Sequence, residues 1–299
     1  MNGKRLACYG LALLTAVAVT TSCRRSPRAE STPELIGDLR NNGRLKSQTA
    51  AARVLGERKD AQAVPALIDA LKDAQPVRLS AVRALGNIRD ERAVEPLIAT
   101  LKEDTDPRVG TAAAQALGEL RDERAVDALI TALAAENEAA GPALVRIGAP
   151  AIAPLVGCLR EAETRGVATQ SLVQIGNPAV EPLIGALKTY EDEARSAAAR
   201  ALAEINDPRG NRALTAALRD GDPRLGAAAY KFLVRSGTPE NETLLLAALH
   251  RYGHIDMAED LLRSGRPELR QAAKIWAQQN GYTLTTPNPA GEGSRSRTR

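Results

Sequence analysis

The chain has 299 residues, of which 44% are hydrophobic but only 2% are aromatic, so its core must be aliphatic. No stretch alternates apolar and polar residues between turn signals, which excludes a β-sheet fold and predicts an all-α one. Eight of the 40 Lys and Arg but only two of the 36 Asp and Glu lie outside residues 33–281, leaving 32 basic against 34 acidic side chains there. A net charge of −2 argues against nucleic acid as the partner of this region.

The amino terminus has the features of a signal peptide over residues 1–22. Lys4 and Arg5 precede a mostly apolar, uncharged run at residues 6–20. Fifteen residues are too few to cross a bilayer and suit the apolar region of a signal peptide, for which about 7–15 is typical. We therefore expect the protein to act outside the cytoplasm.

Two cleavage sites fit this segment. Ala16-Val17-Ala18 offers an ordinary site, which predicts a secreted protein. Ser22-Cys23 resembles the lipobox of bacterial lipoproteins, and this resemblance implies that Cys23 is diacylated and becomes the first residue. In that interpretation residues 23–32 form a polar tether, and the acyl chains hold the protein to a membrane of the cell envelope, the outer membrane in a Gram-negative host.

A repeated pattern fills residues 33–281. In each copy an alanine stands four residues before a leucine, which places both on one face of a helix. These first leucines are Leu55, Leu85, Leu117, Leu144, Leu172, Leu202 and Leu233. The second leucines, fifteen or sixteen residues further on, are Leu71, Leu101, Leu133, Leu159, Leu187, Leu218 and Leu249. The pattern predicts an α-solenoid of about seven antiparallel helix pairs that bury their apolar faces by stacking.

The repeats also carry a recognisable sequence. Residues 84–98 read Ala-Leu-Gly-Asn-Ile-Arg-Asp-Glu-Arg-Ala-Val-Glu-Pro-Leu-Ile, and Asp-Pro-Arg occurs at Asp106 and Asp222. These units resemble HEAT repeats, of the short variety similar to those of phycobilin lyases and deoxyhypusine hydroxylases. The resemblance implies a right-handed solenoid that in most cases binds proteins and in some is an enzyme.

Both ends of the solenoid are expected to carry atypical capping helices. At the amino end, Thr32 and Pro33 predict a lone helix with Thr32 as its cap. At the carboxyl end, residues 253–281 depart from the repeat and predict a terminal cap whose core holds Trp276. Residues 282–299, rich in Thr, Pro, Gly, Ser and Arg, are expected to be disordered.

One junction between repeats is abnormal. Only eleven residues separate Leu133 from Leu144, and Gly141-Pro142 falls inside the expected first helix of the fourth pair. Since proline removes a backbone donor, we expect that helix to be short or kinked. The junction is either a seam where the curvature of the solenoid changes or a tolerated deletion.

The inventory of reactive groups is thin. Cys158 takes a position that small residues fill in the other repeats, so we expect a packing role and no disulfide. His250 and His254 stand four residues apart without a third ligand, so no metal site is predicted, and the His-Glu pairs of the hydroxylases are absent. The sequence predicts no catalytic residue, cofactor or small-molecule ligand.

A series of positions directly after the second leucines is predominantly basic, and we call it the basic ladder. Its cationic or titratable members are Lys72, Lys102, Arg160, Lys188, Arg219 and His250, with Ala134 as a gap. Cations at helix C-termini offset the macrodipole by a few tenths to about 1 kcal/mol each, with no partner needed. In HEAT-like solenoids, however, second helices usually line the concave wall, where such a ladder would bind an acidic protein.

The leading hypothesis is therefore a non-enzymatic, protein-binding scaffold outside the cytoplasm, tethered to a membrane by a lipid at Cys23. The alternative is an enzyme or enzyme-accessory protein, as the resemblance to bilin lyases and HEAT-repeat hydroxylases implies.

Overall fold

The computed structural model describes residues 30–41, 44–219, 225, 230, 233–234 and 239–284. Every regular element among these residues is a helix, which confirms the predicted α-solenoid. The predicted signal peptide, Cys23, the helix start at Asp222-Pro223 and the tail beyond residue 284 lie outside the described residues.

The described helices follow the predicted repeats. They are α1 (Thr32–Arg40), α2 (Leu45–Arg58), α3 (Val64–Asp69), α4 (Gln75–Ile88), α5 (Val94–Glu103), α6 (Pro107–Leu120), α7 (Val126–Ala134), α8 (Ala140–Ile147), α9 (Ile152–Cys158), α10 (Ala162–Ile175), α11 (Val180–Thr189), α12 (Asp192–Ile205), α13 (Pro208–Arg219), α14 (Pro239–Tyr252), α15 (Ile255–Arg263) and α16 (Pro267–Gln279). All seven first leucines are fully buried, at 0% exposure, so the periodicity marks the aliphatic core.

The turns inside the repeats use two kinds of signal. Asp90 and Asp122 accept hydrogen bonds from backbone N–H groups two residues later and begin short 3₁₀ turns that lead into α5 and α7. Gly148 and Gly176 end α8 and α10 with φ of 81° and 78°, a conformation that favours glycine. Acidic caps and glycine stops thus set the helix boundaries.

The start of α1 differs by one residue from the prediction. Ser31, not Thr32, is the N-cap, and its backbone N–H donates to the Glu34 carboxylate at 2.7 Å. The Thr32 hydroxyl instead donates to Asp60, at the turn before α3. A capping box therefore fixes this end of the solenoid.

The helices form two rows. Each odd-numbered helix from α1 to α11 packs against the even-numbered helix that follows it, so α1 stands as a regular member of its row. Along the chain, the even-numbered helices α2 to α12 contact one another far more extensively than the odd-numbered helices do. The even-numbered helices are therefore the closer-spaced row.

Small residues explain this close spacing. A Cβ atom placed on Gly56 would lie 2.6 Å from Cα of Ala84, and one on Gly86 would lie 2.8 Å from Cβ of Ala116. Because a curved stack is concave on the side where its units lie closer, we name α2 to α12 the inner row and α1 to α13 the outer row. The close contacts, made by glycines and alanines of the first helices, argue against the expectation that second helices line the concave wall.

The abnormal junction gives a short helix, as predicted. The helix α8 has eight residues, whereas α6 and α10 on either side have fourteen each. Pro142 lies in its first turn, where a missing N–H donor costs no intrahelical hydrogen bond. The lost turns are replaced by the loop before Ala140, so the inner row has a gap at this point.

The carboxyl-terminal cap consists of α15 and α16, which pack against each other. Leu269 and Ala273 are buried in it. Trp276 is only partly buried and stacks on Tyr282 with ring centroids 5.6 Å apart, so it covers the edge of the cap rather than filling its centre.

Candidate protein-binding surfaces

The basic ladder lies at the C-terminal ends of the outer-row helices and, at His250, of α14. All six of its cationic or titratable positions are exposed. Lys72, Lys102 and Lys188 form no ion pair or hydrogen bond through their side chains with any described residue. The ladder is thus a set of solvated cations along one edge of the stack, not on its concave wall.

Other arginines hold the carbonyl groups at these helix ends. Arg165 donates from Nε to the Leu159 carbonyl oxygen at 2.8 Å, and Arg195 donates to that of Leu187 at 2.9 Å. Arg78 donates to the Asp73 carbonyl oxygen at 3.1 Å. Each comes from the first turns of the next inner-row helix. At the helix ends that carry Lys72, Arg160 and Lys188, the ladder cations are therefore not needed as hydrogen-bond donors.

Arg78 also binds the next repeat. Its Nε and Nη2 atoms donate to the two carboxylate oxygens of Asp104 at 2.7 and 3.0 Å. These hydrogen bonds hold the pKa of Asp104 below its usual value despite the opposing effect of burial. A bidentate pair of this kind is stronger and more directional than a typical surface ion pair.

A second group of Asp-Arg pairs caps the turns. Asp90 accepts from the backbone N–H of Arg92 at 3.0 Å and from its Nε at 2.8 Å. Arg92 also donates to the Ala61 carbonyl oxygen of the preceding repeat at 2.9 Å. The same Asp-x-Arg arrangement recurs at Asp106, Asp122 and Asp207. Hydrogen bonds from the arginines lower the pKa of all four aspartates.

One aromatic side chain contacts the ladder. Tyr190 is the only Phe, Trp or Tyr between positions 30 and 219. The Arg160 guanidinium lies over its ring, 5.6 Å from the centroid. This cation–π contact orients one ladder residue and leaves it exposed.

The remaining candidates have structural roles. Cys158 is buried, at 8% exposure, and burial raises the pKa of its thiol, which supports the packing role. His254 is the N-cap of α15 and accepts at Nδ1 from the Met257 backbone N–H at 3.3 Å, while His250 lies on α14. Across the described part of the chain, no group of three His, Cys, Asp or Glu residues is arranged to hold a metal ion.

The sequence interpretation missed the arginines at the helix ends. Arg78, Arg165 and Arg195 follow the second leucines by seven, six and eight residues respectively, so no fixed spacing marks them. Tyr190 was also missed, although its isolation among 190 residues poor in aromatic rings was a usable signal.

The comparison with protein families now agrees with this geometry. The family described as HEAT repeats matches residues 73–141, 152–223 and 180–277, and the PBS lyase HEAT-like repeat matches residues 47–73. The chain belongs to the HEAT-repeat family. No curated protein matches this HEAT-repeat chain closely enough to add a function.

Solved structures similar to this HEAT-repeat protein include the following three. The complex of CpcE and CpcF of phycocyanin lyase from Nostoc sp. PCC7120 is 24% identical, with 83% of this chain and 94% of that one covered and a TM-score of 0.36. An engineered protein is 21% identical, covering 86% and 100%, with a TM-score of 0.31. Human deoxyhypusine hydroxylase in complex with glycerol is 17% identical, covering 84% and 96%, with a TM-score of 0.33.

None of the described helices of the HEAT-repeat protein combines the length and the apolar character that a membrane-spanning helix needs.

Proposed function

We propose that this HEAT-repeat protein is a non-enzymatic scaffold that binds another protein through its basic ladder, outside the cytoplasm, while a lipid on Cys23 tethers it to a membrane. The observation that carries the proposal is the exposure of Lys72, Lys102 and Lys188 without partners among the described residues. At the helix ends that carry Lys72, Arg160 and Lys188, the carbonyl groups already accept hydrogen bonds from Arg78, Arg165 and Arg195.

The spacing of the ladder suggests the chemistry of the partner. Neighbouring repeats stack at about 8–10 Å, the usual separation of packed helices. At physiological ionic strength the Debye length is about 8 Å, so each cation acts almost independently and needs its own counter-charge. A protein surface with acidic side chains spaced about 10 Å apart meets this requirement.

A charge-reversal variant tests the ladder. Changing Lys102, Arg160 and Lys188 together to Glu places like charges opposite an acidic partner, so we expect at least about tenfold weaker capture in a pull-down from envelope extracts. All three side chains are exposed, so the helical circular dichroism spectrum should not change.

The matched control reverses three exposed cations away from the ladder. Lys46, Arg270 and Lys274 changed to Glu give the same change in net charge, and we expect full capture. A ladder variant that retains every partner of the wild type would refute the proposal. A chromophore or metal in the purified protein, detected by absorbance or elemental analysis, would favour the enzyme alternative.

A further inference from the structure

Three adjoining cavities of the inner row meet at one side chain. Their volumes are about 440, 610 and 620 Å³, and Arg83 of α4 lines all three. They extend from α2 across α4 and α6 to α8 and are open to solvent. Together they form one continuous groove along the inner row, with Arg83 lining every part of it.

The shortened α8 creates the far part of this groove. The helix begins only four residues before its marker Leu144, whereas α6 begins ten residues before Leu117. Six missing residues correspond to about 9 Å of helix. The gap exposes Thr111 and Gln115 of α6 as polar lining of both larger cavities.

The same gap leaves an apolar side chain uncovered on α10. Val167 packs against the first turn of α8, where a Cβ on Gly141 would lie 2.7 Å from Val167 Cγ1. It is nevertheless 43% exposed, because α8 has no earlier turn to cover it. Gly141 thus permits close contact at the place where the row is interrupted.

Arg83 is the unbalanced cation of the groove. It is exposed and forms no ion pair with a described residue. The other three arginines lining these cavities have carboxylates nearby, since Arg53 pairs with Glu57 at 2.7 Å, Arg108 pairs with Asp106 at 2.9 Å and Arg146 lies 3.6 Å from Glu119. A carboxylate from outside is the natural counter-charge for Arg83.

The groove is not uniformly basic. Glu138, in the loop before α8, lines both larger cavities and has no ion pair among the described residues. A polyacidic segment would be repelled there, so the groove favours one carboxylate followed by neutral residues. Three helix spacings separate α4 from α10, about 25–30 Å, which an extended chain spans in about eight residues.

We infer that this groove is a second docking site, for an extended segment of a partner protein with a single carboxylate at Arg83 and an apolar side chain at Val167. The segment passes Thr111 and Gln115, whose side chains hydrogen-bond its backbone. The inference rests on the proposed protein-binding function, but it assigns binding to the concave wall and does not depend on the ladder.

Peptide selection on the purified protein tests this site. From a displayed library of random decapeptides, we expect enrichment of sequences with one Asp or Glu and an apolar residue several positions away. Binding of a selected peptide, followed by fluorescence anisotropy, should weaken at least tenfold in R83E and severalfold in V167S. Replacing the peptide's carboxylate by Lys should restore binding to R83E.

Arg200 provides a matched control, because it is exposed and holds in α12 the position that Arg83 holds in α4, two residues before the marker leucine. R200E and the triple ladder variant should bind the peptide as the wild type does. No enrichment, enriched sequences without a carboxylate, or equal binding by R83E would overturn the inference. If only the ladder proposal is wrong, the selected peptide still binds the wild type. In the pull-down, the ladder variant and its charge-matched control then capture the partner equally well.

Discussion

Arginine has two separate uses in this protein, and the two can be told apart residue by residue. Arg78 is largely buried, at 22% side-chain exposure, and joins two repeats through Asp104, whose side chain is only 7% exposed. Arg83, five residues later in the same helix, is exposed and forms no ion pair within the described residues. The charge of Arg78 stabilises the stack, whereas the charge of Arg83 is available for binding a partner.

The Arg78–Asp104 pair gives a prediction at the scale of one residue. Asp104 accepts two hydrogen bonds from Arg78 and one from the Asp106 backbone N–H at 2.9 Å. Replacing Asp104 by Asn leaves the partly buried guanidinium without its charge partner, so we expect a loss of about 1–3 kcal/mol at pH 7. Chemical denaturation measures it. As control, R53Q removes an exposed i,i+4 pair and should cost about 0.5 kcal/mol or less.

The pH dependence of this loss has a definite sign. The folded-state pKa of Asp104 is lowered, mainly by its hydrogen bonds with Arg78, from an unfolded value of about 3.9. Its stabilising contribution is therefore complete well above pH 4 and is lost as the pH falls through the folded-state pKa. Wild type and D104N should converge in free energy of unfolding below about pH 4. A constant difference down to pH 2 would contradict this account.

At the scale of the helix, Gly86 and Gly185 have different roles. Gly86 of α4 has Ala116 of α6 so close that an added Cβ would lie 2.8 Å from its Cβ and 2.9 Å from its Cα. Gly185 of α11, in the outer row, has no atom within 4 Å of an added Cβ. The first glycine permits helix contact, whereas the second only lowers helix propensity.

Alanine substitutions at these two glycines should therefore change the free energy of unfolding in opposite directions. We expect G86A to destabilise by about 1–3 kcal/mol through forced separation of α4 and α6. G185A should stabilise by about 0.5–1 kcal/mol, because alanine has the higher helix propensity. Thermal and chemical unfolding of both variants provide the measurement. If G86A were as stable as the wild type, close contact in the inner row would not be what sets the spacing of the repeats.

The helices themselves were largely predictable, because the buried positions recur with the same period as the repeats in the sequence. Leu55, Leu85 and Leu117 mark the core, and Asp90 and Gly148 mark the boundaries. The period is the same for both rows and does not distinguish them, so the concave wall was assigned to the second helices. The signal was present in Gly56 and Gly86, whose role is contact between neighbouring helices.

The candidate surfaces were harder to predict for a physical reason. The basic ladder has a fixed offset from the second leucines, so the sequence alone locates it. The groove depends on the helical turns that α8 lacks before Ala140. Its two larger cavities bring together side chains of α4, α6 and α8. A sequence shows that Leu133 and Leu144 are too close, but not that Arg83 and Val167 lie on either side of the resulting gap.

At the scale of the whole molecule, one stack of helices presents two surfaces that differ in charge. The described repeats form an outer edge with solvated cations and a concave groove with a single unbalanced arginine. Binding at the edge should depend strongly on ionic strength, because exposed charges are screened within about 8 Å at physiological salt. Binding in the groove combines a charge pair with backbone hydrogen bonds and apolar contact, so it should depend on salt less.

The lipid tether proposed at Cys23 is the remaining property of the whole molecule. Each buried CH₂ group of an acyl chain contributes about 0.8 kcal/mol, so two or more chains hold a protein firmly to a membrane whatever its folded part binds. Replacing Cys23 by Ala should move the protein from the detergent phase to the aqueous phase in phase partitioning of cell envelopes. Cys158→Ala is the matched control, because Cys158 is buried and small residues fill its place in the other repeats, so partitioning should not change. A Cys23→Ala protein that stayed in the detergent phase would exclude this cysteine as the anchor, and a wild type found in the aqueous phase would favour secretion after cleavage at Ala18.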